Sequence, residues 1–178
     1  MAAAPAFTVA SLVATAVPAA IAAPRADAIQ LIDQAGRRFA LRDLRGRPFA
    51  VTFIASRCTD ACPIIDAQFA LVQRRLAALR SPAQLVTITL DPGYDTPFVM
   101  ARLAHDYAAD PRRWRLASGT MRDVTALRRA YGVGVAADAR GVPDVHSTFV
   151  YVTGRDGSQR VLLTSTNLVD DLVDALER

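Results

Sequence analysis

Two unbroken apolar runs constrain this chain more than any other feature. Pro48-Phe49-Ala50-Val51-Thr52-Phe53-Ile54 and Leu85-Val86-Thr87-Ile88-Thr89-Leu90 carry no polar alternation beyond threonine. A strand that faces water on one side alternates; a strand covered on both faces does not. Two such strands require helices on both faces of their sheet. The stretch between them supplies one, since Ile64, Phe69, Leu71, Val72, Leu76 and Leu79 recur at helical spacing until Ser81-Pro82 stops it.

The rest of the chain extends this strand–helix–strand unit. Ile29 to Asp33 alternates, turns at Gln34-Ala35-Gly36 and continues at Phe39-Ala40-Leu41, as a hairpin does. Thr96 caps a helix with Pro97 at its first position, predicted to run to about Ala108. Trp114–Ser118 reads as a short strand, and Thr120 caps a third helix to Tyr131. Residues Gly132 to Asp144 read as a loop, Ser147–Val152 as a strand, Asp156-Gly157 as its turn into Arg160–Leu163, and Val169–Leu176 as a closing helix. This order is the plan of a thioredoxin-like α/β fold: a three-layer α/β/α sandwich around a central mixed sheet, with an N-terminal β-hairpin.

At 178 residues, about half of them hydrophobic, the chain can bury one ordinary core. That domain is expected over 29–178. Residues 1–28 differ in composition: Phe7 to Ala23 is apolar, charge begins at Arg25, and small residues offer cleavage sites around Ala20–Ala22 and Ala26–Ala28. They read as a signal peptide for export to the periplasm, although no Arg or Lys precedes the apolar run. An uncleaved N-terminal membrane anchor is the alternative, but the run is short for a span and contains Pro18. The net charge is +4, and all 21 basic residues are arginines, scattered in doublets such as Arg74-Arg75. No basic stripe interleaved with aromatics suggests a nucleic-acid partner.

Cys58 and Cys62 are the only cysteines, and they sit where the first buried strand gives way to the helix. Residues four apart on a helical turn share a face, with Cα atoms roughly 6 Å apart. That spacing permits a disulfide or a shared metal ion. The helix N-terminus and Arg57 are expected to lower at least one thiol pKa. Of the two histidines, His105 falls mid-helix and reads as a surface residue. His146 falls where a Gly- and Pro-containing loop meets a strand, an entrance that lies near the cysteines in a thioredoxin-like sheet. From the residues alone, His146 is either a third ligand or a hydrogen-bonding residue.

Three segments decide between these. Ser56-Arg57-Cys58-Thr59-Asp60-Ala61-Cys62-Pro63 resembles the C-x-x-x-C-P motif of the Sco/SenC proteins. Asp91-Pro92-Gly93-Tyr94-Asp95-Thr96-Pro97 resembles that family's D-P-x-x-D-T-P segment, and Asp144-Val145-His146-Ser147 its D-H-S strand entrance. The match runs in order from about residue 29 to the C-terminus. The resemblance implies copper ligation by Cys58, Cys62 and His146. Two thiolates and an imidazole form a soft, three-coordinate set suited to Cu(I), and with a weak added ligand to Cu(II). The chain departs from the family at Thr59, at Ala55-Ser56, and at Val145, which separates Asp144 from His146. On an extended segment Asp144 and His146 still share a face, so Asp144 can polarise the imidazole. Asp91 reads either as a group that orients the ligands or as a turn residue before Pro92.

The function expected from the resemblance is a copper chaperone. Its recipient would be cytochrome c oxidase subunit II, at the binuclear copper centre, or another cuproprotein, and a periplasmic copper donor would load it. The alternative is an enzyme, a thiol–disulfide oxidoreductase that reduces the recipient's copper-site cysteines and needs Cys58 and Cys62 but not His146. A peroxidase is a distant third.

Overall fold

The computed structural model describes residues 26–59, 61–146, 149–163 and 166–178; at 144–146 and 163 it describes the backbone alone. The expected buried strands are β3 (Phe49–Ile54) and β4 (Gln84–Thr89), and every residue of both is buried. They pair in parallel, from Phe49 opposite Gln84 to Ile54 opposite Thr89. The equal register ends both strands at one level, and the Leu90 amide donates to the Ile54 carbonyl just beyond them (2.6 Å). The loops that follow β3 and β4 therefore leave the sheet side by side.

The N-terminal hairpin is β1 (Leu31–Asp33) with β2 (Arg38–Phe39). The helix after β3 is α1 (Ala61–Ala78), and the helix after β4 is α2 (Pro97–Asp106). Then come β5 (Trp114–Ser118), α3 (Met121–Ala130), β6 (Val135–Ala137), β7 (Pro143–His146), β8 (Phe149–Thr153), β9 (Gln159–Leu163) and α4 (Leu168–Glu177). The seven-stranded sheet runs β2-β1-β5-β4-β3-β8-β9, with β3, β4 and β5 parallel and the other pairings antiparallel. The fold is thioredoxin-like α/β, as expected. One face is covered by α1, α2 and α4, through residues such as Phe69, Met100 and Leu172. The other is covered by α3 and a short 3-10 helix (Leu41–Leu44), through Leu127, Leu41 and Leu44.

Both threonine caps form: Thr96 accepts from the Val99 amide and Thr120 from the Asp123 amide. Two expectations are corrected. The stretch 132–144 is not a plain loop, because β6 and β7 form a separate two-stranded antiparallel ribbon within and beyond it. Asp138 organises its turn by accepting from the amides of Arg140 and Val142 (2.8 and 2.9 Å). The apolar pattern of α1 is also wider than its buried face: Ile64, Leu71 and Leu79 are exposed, whereas Asp66 and Gln73 are buried. Residues 1–25 of the proposed leader lie outside the described residues, as do Ser147 and Thr148; its last three, Ala26–Ala28, form a short 3-10 helix with Ala26 buried. Among the described residues, no helix is long and apolar enough to cross a membrane.

Candidate metal centre

The two cysteines flank the start of α1 without sharing its helical turn. Cys58 precedes the helix, in a turn closed by its amide donating to the Ala55 carbonyl (3.0 Å); Cys62 is the second helical residue. Neither cysteine is in a disulfide, and both residues are buried, at 4% and 3% exposure. Their contacts are with the apolar cluster that includes Ile54, Ile65 and Phe69. The sulfurs thus lie just inside the fold.

Burial also governs the chemistry of Cys62. It pushes the thiol well above its ordinary range, and a backbone hydrogen bond from Ala55 opposes the rise only in part. The expected help from Arg57 goes elsewhere. Its guanidinium pairs with the Asp91 carboxylate and lies over the Tyr94 ring, 4.5 Å from the centroid. Asp91, expected either to orient the ligands or merely to turn the chain, thus anchors the arginine next to Cys58. It is also held by the turn, its amide donating to Thr89 Oγ1 (2.8 Å).

His146 is the last residue of β7, opposite Val135, and Asp144 lies two positions before it on the same strand. The segment is extended, as the shared-face argument requires. The side chains of both residues lie outside the described set. Among the described residues, no three His, Cys, Asp or Glu side chains are grouped as a metal site. His105 is a surface residue, 91% exposed beside Asp106.

Two carboxylates near the cysteines had no role in the sequence reading: Asp95, seen there only as part of the D-P-x-x-D-T-P segment, and Asp66. Asp95 is fully buried and accepts from the Ser56 amide (3.1 Å), the Ser56 hydroxyl and the Thr89 hydroxyl (2.6 Å). Asp66, four residues beyond Cys62, is 2% exposed, and its Oδ1 has no hydrogen-bond partner among the described residues. Burial, with the charge of Asp95 adding to it, pushes its pKa up to about 8. Its place among Ile65, Phe69, Val72 and Leu76 on the inner face of α1 was the available signal. Tyr107 completes the surroundings, donating from its hydroxyl to the Pro63 carbonyl (3.3 Å). A cavity of about 410 Å³ lined by Leu41, Arg45, Phe49 and Tyr131 sits at the opposite end of β3 and takes no part in this site.

The family model described as SCO1/SenC matches residues 21–178. The chain belongs to the SCO1/SenC family. It is 29% identical over 155 residues to the mitochondrial SCO2 homolog of Bos taurus, covering 83% of this chain and 57% of that protein. The chain spans between about half and two thirds of the length of the curated relatives it matches (49% to 66%). The Bradyrhizobium japonicum ScoI structure with copper bound superposes with a TM-score of 0.72 at 22% identity, covering 84% of this chain and 96% of that one. BsSco has a TM-score of 0.70 at 20% identity, with 83% and 88% covered. It is described as a Sco-family cytochrome c oxidase assembly protein with a disulfide switch. At these identities the two structures establish the shared fold.

Proposed function

We propose that this SCO1/SenC protein is a copper chaperone that holds copper through Cys58, Cys62 and His146 and passes it to a cuproprotein such as cytochrome c oxidase subunit II. The observation that carries the reading is the pair of buried, reduced cysteines at the start of α1, the only cysteines of the chain. The proposed third ligand, His146, ends β7 in the separate ribbon. Two sulfurs and an imidazole give Cu(I) a soft, three-coordinate set. Binding requires loss of the thiol protons, so the buried Cys62 must give up its proton as the metal arrives. Burial shields the bound ion from water, and the Cys58 turn must open to hand it on. Copper-bound relatives of the same fold support the assignment.

The protein is exported to the periplasm by residues 1–28 and loaded there by a copper donor. Intact mass of the periplasmic form is expected to place its first residue between Ala23 and Ile29; full-length chain in membranes would mean an anchor. The ligand set is tested by titrating reduced protein with Cu(I) against a competing chelator. One ion per chain is expected, with affinity lost in His146→Ala. Unchanged affinity in that variant would remove the histidine from the set.

A second reading rests on the same thiols. As a thiol–disulfide oxidoreductase the chain would cycle Cys58 and Cys62 between dithiol and disulfide, a reading supported by the disulfide switch described for BsSco. This activity would survive His146→Ala and fail in Cys58→Ser.

A further inference from the structure

The loops after β3 and β4 are joined twice. The outer link is the Arg57–Asp91 ion pair, with the arginine side chain 35% exposed. The inner link is Asp95, which no solvent reaches. Its Oδ2 accepts from the Ser56 amide and the Thr89 hydroxyl, and its Oδ1 from the Ser56 hydroxyl. Charge-assisted bonds in a dry interior are stronger and less screened than an ion pair at the surface. The position of Ser56 matters because it is the second residue of the turn that Cys58 closes onto Ala55. Fixing the Ser56 backbone and side chain together fixes where that turn delivers the Cys58 sulfur. Thr89 is the last residue of β4, so the clamp is anchored in the sheet itself.

We propose that Asp95 is a positioning residue for the thiol pair: through Ser56 it holds the turn that presents Cys58 to Cys62, and so sets the reduction potential of the pair and its grip on copper. The inference rests on the proposed function only in treating Cys58 and Cys62 as a working pair. Two thiols held close join at a high effective concentration, and loosening one of them disfavours the disulfide. When an external dithiol reduces the Cys58–Cys62 bond, two electrons pass inward. The external sulfurs join as a disulfide, and their two protons end on Cys58 and Cys62. A looser turn makes that exchange more favourable, so the potential becomes less negative. The same loosening costs copper affinity, because one ligand loses its place.

The test is a redox titration of the wild-type protein, Asp95→Asn, Ser56→Ala and Thr87→Val in dithiothreitol buffers. Cu(I) competition and thermal unfolding are measured on the same samples. Thr87 is the control: it accepts from the Trp114 indole (2.9 Å) on the same strand as Thr89 but touches no part of the cysteine turn. Asp95→Asn is expected to shift the exchange equilibrium about tenfold toward the dithiol, about 30 mV for this two-electron couple. Its Cu(I) affinity should fall by a similar factor. Ser56→Ala should move both in the same direction by less, and it decides the matter if Asp95→Asn does not fold. Thr87→Val should lower the melting temperature and leave the potential alone. Lower melting temperatures in the Asp95 and Ser56 variants with wild-type potentials would make the clamp merely structural and overturn the proposal. If wild-type protein fails to bind Cu(I) while the potentials still shift, the copper reading falls and the positioning role stands.

Discussion

The two parts of the chain that carry the proposed ligands are built differently. The cysteine end is set into the domain: β3 is buried along its length between β4 and β8, and both sulfurs contact the main core. The ribbon of β6 and β7 is hydrogen-bonded strand to strand only within itself, with a register irregularity at Ala136/Ala137 and both of those alanines exposed. Two-stranded ribbons have little stability of their own. This one is tied down mainly at its base, by Val133 and Val142, both 2% exposed, and by the Arg128 guanidinium donating to the Val133 carbonyl (2.7 Å). The contrast suits a carrier. Under the proposed function, the sulfurs sit on a segment fixed in the core, whereas the third ligand would come from a ribbon paired only with itself.

The contrast breaks most sharply on the sulfur side. Cys58→Ser and Cys62→Ser are each expected to abolish both Cu(I) retention and disulfide formation, read by chelator competition and thiol titration. Next in size is the buried acid of the embedded end. Asp66 keeps its proton in the folded chain up to about pH 8, whereas an unfolded Asp releases it near pH 4. Across that window the folded state binds more protons, so stability falls as pH rises, by at most about 1.4 kcal/mol per pH unit, and levels off above it. Asp66→Asn should flatten the fall, and denaturant unfolding from pH 4.5 to 8.5 would show it. Wild-type stability that rises through this range would contradict the assignment.

On the arm the effects are smaller. His146→Ala should weaken Cu(I) binding at least tenfold while leaving the melting temperature and disulfide exchange near wild type. A large loss of stability would mean that the ribbon is not the lightly attached element described. The smallest effect belongs to Asp138→Ala, which removes the carboxylate that organises the ribbon turn. The Asp138 pKa is held low first by the Val142 amide, with Arg140 assisting, so its contribution is present above the ordinary carboxylate range and fades as pH falls below it. Hydrogen exchange should quicken in residues 135–146 and stay unchanged in β3 and α1.

Much of the embedded end was legible in the sequence, because full burial writes itself as unbroken apolar runs, and caps such as Thr96 and Thr120 carry local signatures. The ribbon was not: Val135–Ala137 and Pro143–His146, of three and four residues, are too short to leave a period. The cysteines stood out through rarity and position, but their surroundings did not. Arg57 beside Cys58 suggested a cation for the thiols, and only the fold reveals that Asp91, 34 residues away, takes it. Asp95 and Ser56 are 39 residues apart, and no local pattern marks two residues as partners across parallel strands. The acid at Asp66 interrupts an apolar stripe, which is the trace a buried polar residue leaves.

The only tryptophan, Trp114, sits beneath this end of the molecule, fully buried and in ring contact with Phe69 and Tyr107, and the Tyr107 hydroxyl reaches the Pro63 carbonyl beside Cys62. The chain therefore carries its own optical reporter. Excited at the indole band, it emits from one site rather than an average of several. Under the proposed function, loading or emptying the thiols is expected to alter the surroundings of Pro63, one aromatic ring away from that emitter. Occupancy and its kinetics become readable by stopped-flow fluorescence on unlabelled protein, and Tyr107→Phe, which keeps the ring and cuts the link to Pro63, distinguishes a signal relayed through the helix start from direct quenching.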